Sequence, residues 1–286
     1  MNYLKHFGLR EAPFGITPDT SFFFGYQSIQ EALNTLLVAV TNGEGFIKIT
    51  GEVGTGKTLL CRKFLSTLGA GWASAYIPNP SLEPRGLMLA LASELGIAGE
   101  LIGAHRLEKQ LVQRLLELAR SGKRVVLCMD ETQAMPLQTL ETVRLLTNLE
   151  TERRKLMQVV LFGQPELDRK LAQDSVRQLR QRIVFQHSLK ALTREELSAY
   201  VAHRLTIARC SHTTLFTKGA LKAIHVASRG IPRLVNILAH KSLLLVYGEG
   251  GNQVEKRHVR AAVDDTPASS PRSWWFSRPR QSAAAD

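Results

Sequence analysis

The chain has 286 residues, 44% hydrophobic and 22% charged, with a net charge of +12 and a pI near 9.9. That is ordinary for a folded domain with a sizeable core. No apolar run nears the ~18 residues a bilayer span needs, and "MNYLKHFGLREAPFG" lacks a secretion signal's apolar core. Cys61, Cys128 and Cys210 are an odd, scattered set with no close pair, against a disulfide frame or zinc site, so the expected compartment is the cytoplasm. The positive balance suits nucleic acid, anionic lipid or an acidic partner, and equally arginines that meet nucleotide phosphates or neighbouring subunits.

In chain order, residues 1–44 are read as an N-terminal segment packed on the core that follows. "FIKITG" (46–51) is an apolar strand. It runs into Gly51, Glu52, Val53, Gly54, Thr55, Gly56, Lys57, Thr58 and Leu59, which fit G-x-x-x-x-G-K-[ST] with the required strand before and helix after. Such glycines let backbone N–H groups converge on phosphate, and the helix that begins at Lys57 aims its positive end at the same anion. Lys57 is expected to reach the β- and γ-phosphates of ATP, and the Thr58 hydroxyl to bind Mg2+. A helix over "LLCRKFLSTL" (59–68) and a strand over "ASAYIP" (73–78) follow, then a long helix over "LEKQLVQRLLELARSG" (107–122).

"RVVLCMD" (124–130) is a buried strand whose tip carries Asp130 and Glu131. Asp130 is suited to hold magnesium through its water shell, and Glu131 to deprotonate the attacking water, which favours hydrolysis over transfer to a small acceptor. A solvated strand end is the plainer alternative. After a helix over "LQTLETVRLLTNLET" (137–151), the strand "QVVLFG" (158–163) delivers Gln164, either a contact to the γ-phosphate or its water, or a plain loop glutamine. Arg177, Arg180 and Arg182 precede the last strand, "IVFQHSL" (183–189). Arg182 first, then Arg180, is a candidate arginine finger for a neighbouring subunit; a solvated basic face or nucleic-acid contacts are the alternatives.

Strands alternating with helices over 45–190 predict an α/β core with a five-stranded parallel sheet. Residues 191–265 switch to helices alone and predict a small all-helical lid, opened by Thr193 and Glu196 at capping-box spacing. In it, "GIPR" places Arg233 on a helix's first turn, either projected toward the nucleotide or a plain surface arginine. Residues 266–286, rich in Pro, Ser and Ala, read as a disordered tail, in which Trp274, Trp275 and Phe276 among arginines are either unselected or a membrane or partner contact.

Taken together, "GEVGTGKT", "VVLCMDE", "GQPEL", "RQLRQRI" and "GIPR" resemble an AAA+ P-loop NTPase, more narrowly the bacterial ExeA (GspA)–MshM family of type II secretion and MSHA type IV pilus biogenesis. "YLKHFGLREAPFGITPDTSFFF" is similar to that family's opening, and the likeness runs to about residue 264. Length and the lack of a membrane span look closer to MshM than to ExeA-type members, which carry a transmembrane segment and a periplasmic peptidoglycan-binding domain. The resemblance implies an ATPase with ATP and Mg2+ at Lys57, Thr58, Asp130 and Glu131. Gln164 would be sensor 1, where asparagine or threonine is common, and Arg233 sensor 2, with Pro13 and Phe14 near the adenine. It further implies a homo-oligomer, at the inner-membrane periphery, that works on pilus or secretion components. A TniB-like, DNA-bound transposition ATPase is the rival reading, which the charge supports and the lack of a helix-turn-helix or basic arm opposes. A small-molecule kinase suits Glu131 and the arginines less well.

Overall fold

The computed structural model describes residues 3–97, 104–150, 155–210, 214–267 and 269. It divides the chain into two compact units, one formed by Thr17–Lys190 and the other by the described residues of Met1–Ile16 and Ala191–Asp286. The elements run α1 (Tyr3–His6), α2 (Gln27–Asn42), β1 (Phe46–Gly51), α3 (Lys57–Thr67), β2 (Trp72–Ile77), α4 (Pro84–Glu94) and α5 (Ala104–Arg120). They continue with β3 (Arg124–Met129), α6 (Leu137–Leu146), β4 (Met157–Gly163), α7 (Glu166–Leu171), α8 (Arg177–Gln181) and β5 (Ile183–Leu189). The series closes with α9 (Arg194–Ile207), α10 (Lys218–Ser228), α11 (Pro232–Gly248) and α12 (Lys256–Asp264).

In the α/β unit the strands form one parallel sheet in the order β2-β3-β4-β1-β5. The sequence explains the layers. Every residue of β4 is buried, and β3 is buried from Val125 onward, so both faces of the sheet centre must be covered. Val125, Leu127 and Met129 share a core with Leu87 and Leu91 of α4, Leu140 and Val143 of α6, and the Leu107, Leu111, Leu115 stripe of α5. Cys128, of opposite parity, meets Cys61 of α3 on the other face. The cysteines therefore do include a close pair. Both are buried free thiols, and the hydrogen bond between them, followed by burial, pushes the Cys61 thiol well above its ordinary pKa.

The register fixes the polarity of the sheet. Phe46 at the start of β1 lies beside Val159 and Ile183, and Gly51 at its end lies beside Leu189. Everything that follows the strand ends, the glycine-rich loop included, gathers at the carboxyl edge, where open α/β sheets bind ligands.

The helical unit takes the chain's opening with it, which corrects the expectation that residues 1–44 pack as one segment on the core. Residues 17–44 belong to the α/β unit and residues 3–16 to the helices. The cause is a buried guanidinium. Arg204 of α9 donates Nε to the Pro13 carbonyl, Nη2 to the Gly15 carbonyl at 3.4 Å and Nη1 to the Tyr200 hydroxyl at 3.0 Å. Asn236 accepts from Tyr200 at 2.8 Å and donates to Gly15 O at 3.1 Å, so the network is satisfied, as burial of a charge requires. The predicted capping box is formed: Glu196 N donates to Thr193 Oγ1 at 3.2 Å, and Thr193 N to the Glu196 carboxylate at 2.8 Å. The predicted tail starts later than residue 266, since Thr266 is buried and donates to the Ala262 carbonyl at 2.7 Å. Trp274, Trp275 and Phe276 lie outside the described residues.

Gly230 closes α10 against the start of α9. It adopts φ +72°, and a Cβ there would sit 2.1 Å from the Leu192 carbonyl oxygen, which accepts a bond from His225. Gly230→Ala is expected to lose more than about 3 kcal/mol, the sum of a left-handed alanine and a backbone overlap that no rotamer relieves. Chemical denaturation checks this, with the midpoint moving and the slope unchanged.

Candidate nucleotide site

The site is built at the carboxyl edge of β1, β3 and β4. The backbone leaves β1 at Gly51, turns through Gly54 and Gly56, both at positive φ, and enters α3 at Lys57. Thr55 Oγ1 donates to Glu52 O at 2.8 Å, and the Tyr26 hydroxyl, from just before α2, donates to Thr55 O at 3.1 Å and Lys190 O at 3.3 Å. Tyr26 thus anchors the loop to the chain leaving β5, a role that nothing in the local pattern around "FGYQS" announces.

Lys57 is 4% exposed, and its Nζ donates to the Gly51 and Glu52 carbonyls at 2.7 and 3.0 Å. Burial lowers its pKa, opposed by the carboxylates of Glu131 and Asp130. Thr58 Oγ1 donates to Asp130 Oδ2 at 2.5 Å, and Asp130 Oδ1 accepts the Glu131 N–H at 3.0 Å. Burial raises the Asp130 pKa, although the Thr58 and Glu131 bonds and the Lys57 charge pull it back. A buried carboxylate held up in this way gains most from a cation, and a neighbouring hydroxyl gives that cation a second hard oxygen. These residues therefore fit a magnesium ion. Among the described residues no cluster of three or more His, Cys, Asp or Glu forms a self-sufficient metal site, so phosphate oxygens and water would complete such an ion's shell.

Glu131 stands at φ +52°, at the head of a tight turn over Thr132–Ala134. Its Oε2 accepts from Gln164 Nε2 at 3.0 Å and from Gln133 Nε2 at 2.5 Å. Burial pushes its pKa up, but those two amides and the Lys57 charge outweigh it and hold the carboxyl below its ordinary value. The structure thus joins Lys57, Thr58, Asp130, Glu131 and Gln164, and adds Gln133, which sequence reasoning passed over because "DETQAM" reads as an unremarked loop.

Other predicted residues lie elsewhere. Arg182 precedes β5 at the end of the sheet opposite the loop, a strand length of roughly 20 Å from it at ~3.3 Å per residue. It is half-buried, and its guanidinium donates to Arg144 O at 3.4 Å and to Asn148 Oδ1. Arg177 and Arg180 are exposed. In the helical unit, Arg233 is exposed on the first turn of α11. There, too, the Phe14 ring is 2% exposed and meets the Phe216 ring edge-on at 5.7 Å. Its aromatic surface is used inside that unit, and Pro13 is held through its carbonyl.

The parallel sheet order and the loop, carboxylate and amide set together define an AAA+ P-loop NTPase fold. A family model described as an AAA domain matches residues 40–171. The chain is 38% identical over 276 residues, 96% of its length, to general secretion pathway protein A of Aeromonas hydrophila, and spans half of that protein. That likeness, to a secretion-pathway protein, does not favour the transposition-type alternative. Among solved structures the chain resembles Cdc6p of Pyrobaculum aerophilum, with a TM-score of 0.68 at 16% identity, covering 91% of this chain and 74% of that one. It also resembles the ORC2 protein of Aeropyrum pernix in ADPNP-ADP complexes, with a TM-score of 0.64 at 16% identity and the same coverages. The RuvB Holliday junction branch migration motor of Thermotoga maritima gives a TM-score of 0.58 at 18% identity, covering 88% and 73%. At such identities these likenesses establish the fold alone.

Proposed function

We propose that this chain is a magnesium-dependent ATPase that works as a homo-oligomer in assembling a type II secretion system or an MSHA-like type IV pilus, at the inner-membrane periphery. The observation that carries the hydrolytic reading is Glu131: an ionised carboxylate fixed next to Asp130 and held by two amides. Water adds to the γ-phosphorus as the β–γ bridging bond breaks, and its proton passes to Glu131, leaving ADP and inorganic phosphate. Magnesium, when bound by Thr58 and Asp130, neutralises phosphate charge. Lys57 turns from the loop carbonyls to the β- and γ-phosphates, and Arg233 carries the state of the γ-phosphate to the helical unit. The assignment to secretion rests on the name of the Aeromonas relative, and that to the MshM branch on the family likeness of the sequence. Among the described residues no helix is long and apolar enough to cross a membrane, which suits a peripheral location.

A neighbour's arginine completes the site. Arg180 is the better placed of the two candidates, being exposed, whereas Arg182 is tied to the end of α6. Arg180→Ala should slow turnover by about 100-fold or more without weakening ATP binding. Mixed with Lys57→Ala subunits, which keep Arg180, it should regain activity, and wild-type specific activity should rise with protein concentration. Turnover independent of concentration, with no recovery on mixing, would exclude a shared site.

A further inference from the structure

The turn after Asp130 is tied down far more firmly than a connecting loop needs. Gln133 bonds in both directions: its Nε2 donates to Glu131 Oε2 at 2.5 Å, and its Oε1 accepts the backbone N–H of Gln164 at 3.0 Å. Gln164 returns the link, its own Nε2 donating to the same Glu131 oxygen at 3.0 Å. The three residues close a ring of hydrogen bonds between the ends of β3 and β4.

The backbone of this turn is fixed as well. Lys170 of α7 donates to the carbonyls of Gln133, at 2.5 Å, and Met135, at 2.6 Å. The buried Thr132 hydroxyl donates to Phe162 O at 2.8 Å. Gly163 permits the close approach, since a Cβ there would lie 2.9 Å from Thr132 Oγ1 and 2.8 Å from Leu167 Cδ2. Glu131 itself holds a left-handed conformation, φ +52°, that is unfavourable for a non-glycine residue. Strain kept in place by this many contacts has a use in orienting a side chain.

We propose that Gln133 is a positioning residue for hydrolysis: together with Gln164 it grips one carboxylate oxygen of Glu131, Oε2, and fixes the base so that its other oxygen, Oε1, receives the proton of the attacking water. Among the described residues no hydrogen bond engages Oε1. This rests on the ATPase reading above. Gln133→Met retains the volume and removes both bonds. Gln133→Glu places a second carboxylate against Glu131.

The test pairs steady-state kinetics with 1H–15N NMR of the Gln164 side-chain amide in the nucleotide-free protein, identified by the signal lost in Gln164→Met. Gln133→Met should lower kcat about tenfold and leave KM for ATP within about twofold, and Gln133→Glu should lower kcat further. The Gln164 amide signal should move in both Gln133 variants as Glu131 leaves its fixed position. A Gln164 amide signal unmoved in both variants, or a kcat of Gln133→Met equal to or above wild type, overturns the proposal. Failure of the ATPase reading looks different: the wild type then shows no Glu131-dependent hydrolysis, while the amide signal still decides whether Gln133 positions Glu131.

Discussion

Lys57→Ala should weaken ATP binding by at least about 100-fold, close to 3 kcal/mol, the scale of a charge-assisted contact to phosphate in a sheltered site. The structure says why so much rides on one side chain. Lys57 is among the few charges the fold buries, and it holds the loop by donating to Gly51 O and Glu52 O. Alanine removes the phosphate donor together with the bonds to Gly51 O and Glu52 O, the latter keeping only its Thr55 donors, so the loop loses an anchor as well as its charge. Titration calorimetry with a non-hydrolysable ATP analogue reads the effect. Binding within threefold of wild type would mean that the loop's N–H groups hold phosphate without Lys57.

Glu131→Gln should behave in the opposite sense, with binding kept and turnover reduced by roughly 10²- to 10⁴-fold, the usual worth of a positioned general base. Glutamine keeps the size and one acceptor oxygen for the Gln164 and Gln133 amides, so the turn stays folded while proton acceptance is lost. The pH dependence follows from the same contacts. The amides and Lys57 hold the carboxyl below its ordinary value against the effect of burial. Glu131 is therefore ionised throughout the neutral range, and wild-type kcat should be flat there and fall only on acidification through that lowered pKa. A mutant that turns over at near-wild-type rate would remove Glu131 from the chemistry. An acid limb near neutrality would contradict the environment described.

The sheet and the phosphate loop were legible because their signals are local. "FIKITG" is a largely apolar run between Gly45 and Gly51, and "IVFQHSL" opens on β-branched and aromatic residues; they form β1 (Phe46–Gly51) and β5 (Ile183–Leu189) with the boundaries expected. What stayed hidden depends on residues far apart in the chain. Cys61 and Cys128 look scattered until α3 is laid over β3. Gln133 acquires meaning when β4 brings Gln164 beside it. Arg182 resembles a free cation until α6 ends near it. The Arg204 grip on Pro13 and Gly15 spans 191 and 189 positions, and no periodicity over a short window carries such information.

That last contact bears on how the chain folds. His6 bonds to Gly251 O at 2.7 Å and Arg10 N to Ala208 O at 2.9 Å, so the segment before residue 17 is bound at several points to helices made last. During synthesis it must wait, apolar side chains uncovered, while the whole α/β unit is translated and folds, because loop closure across that distance has no earlier reward. The helical unit, discontinuous in the chain, is therefore expected to be the late and rate-limiting unit to fold, and nascent chains released before α11 should be the ones that need chaperones.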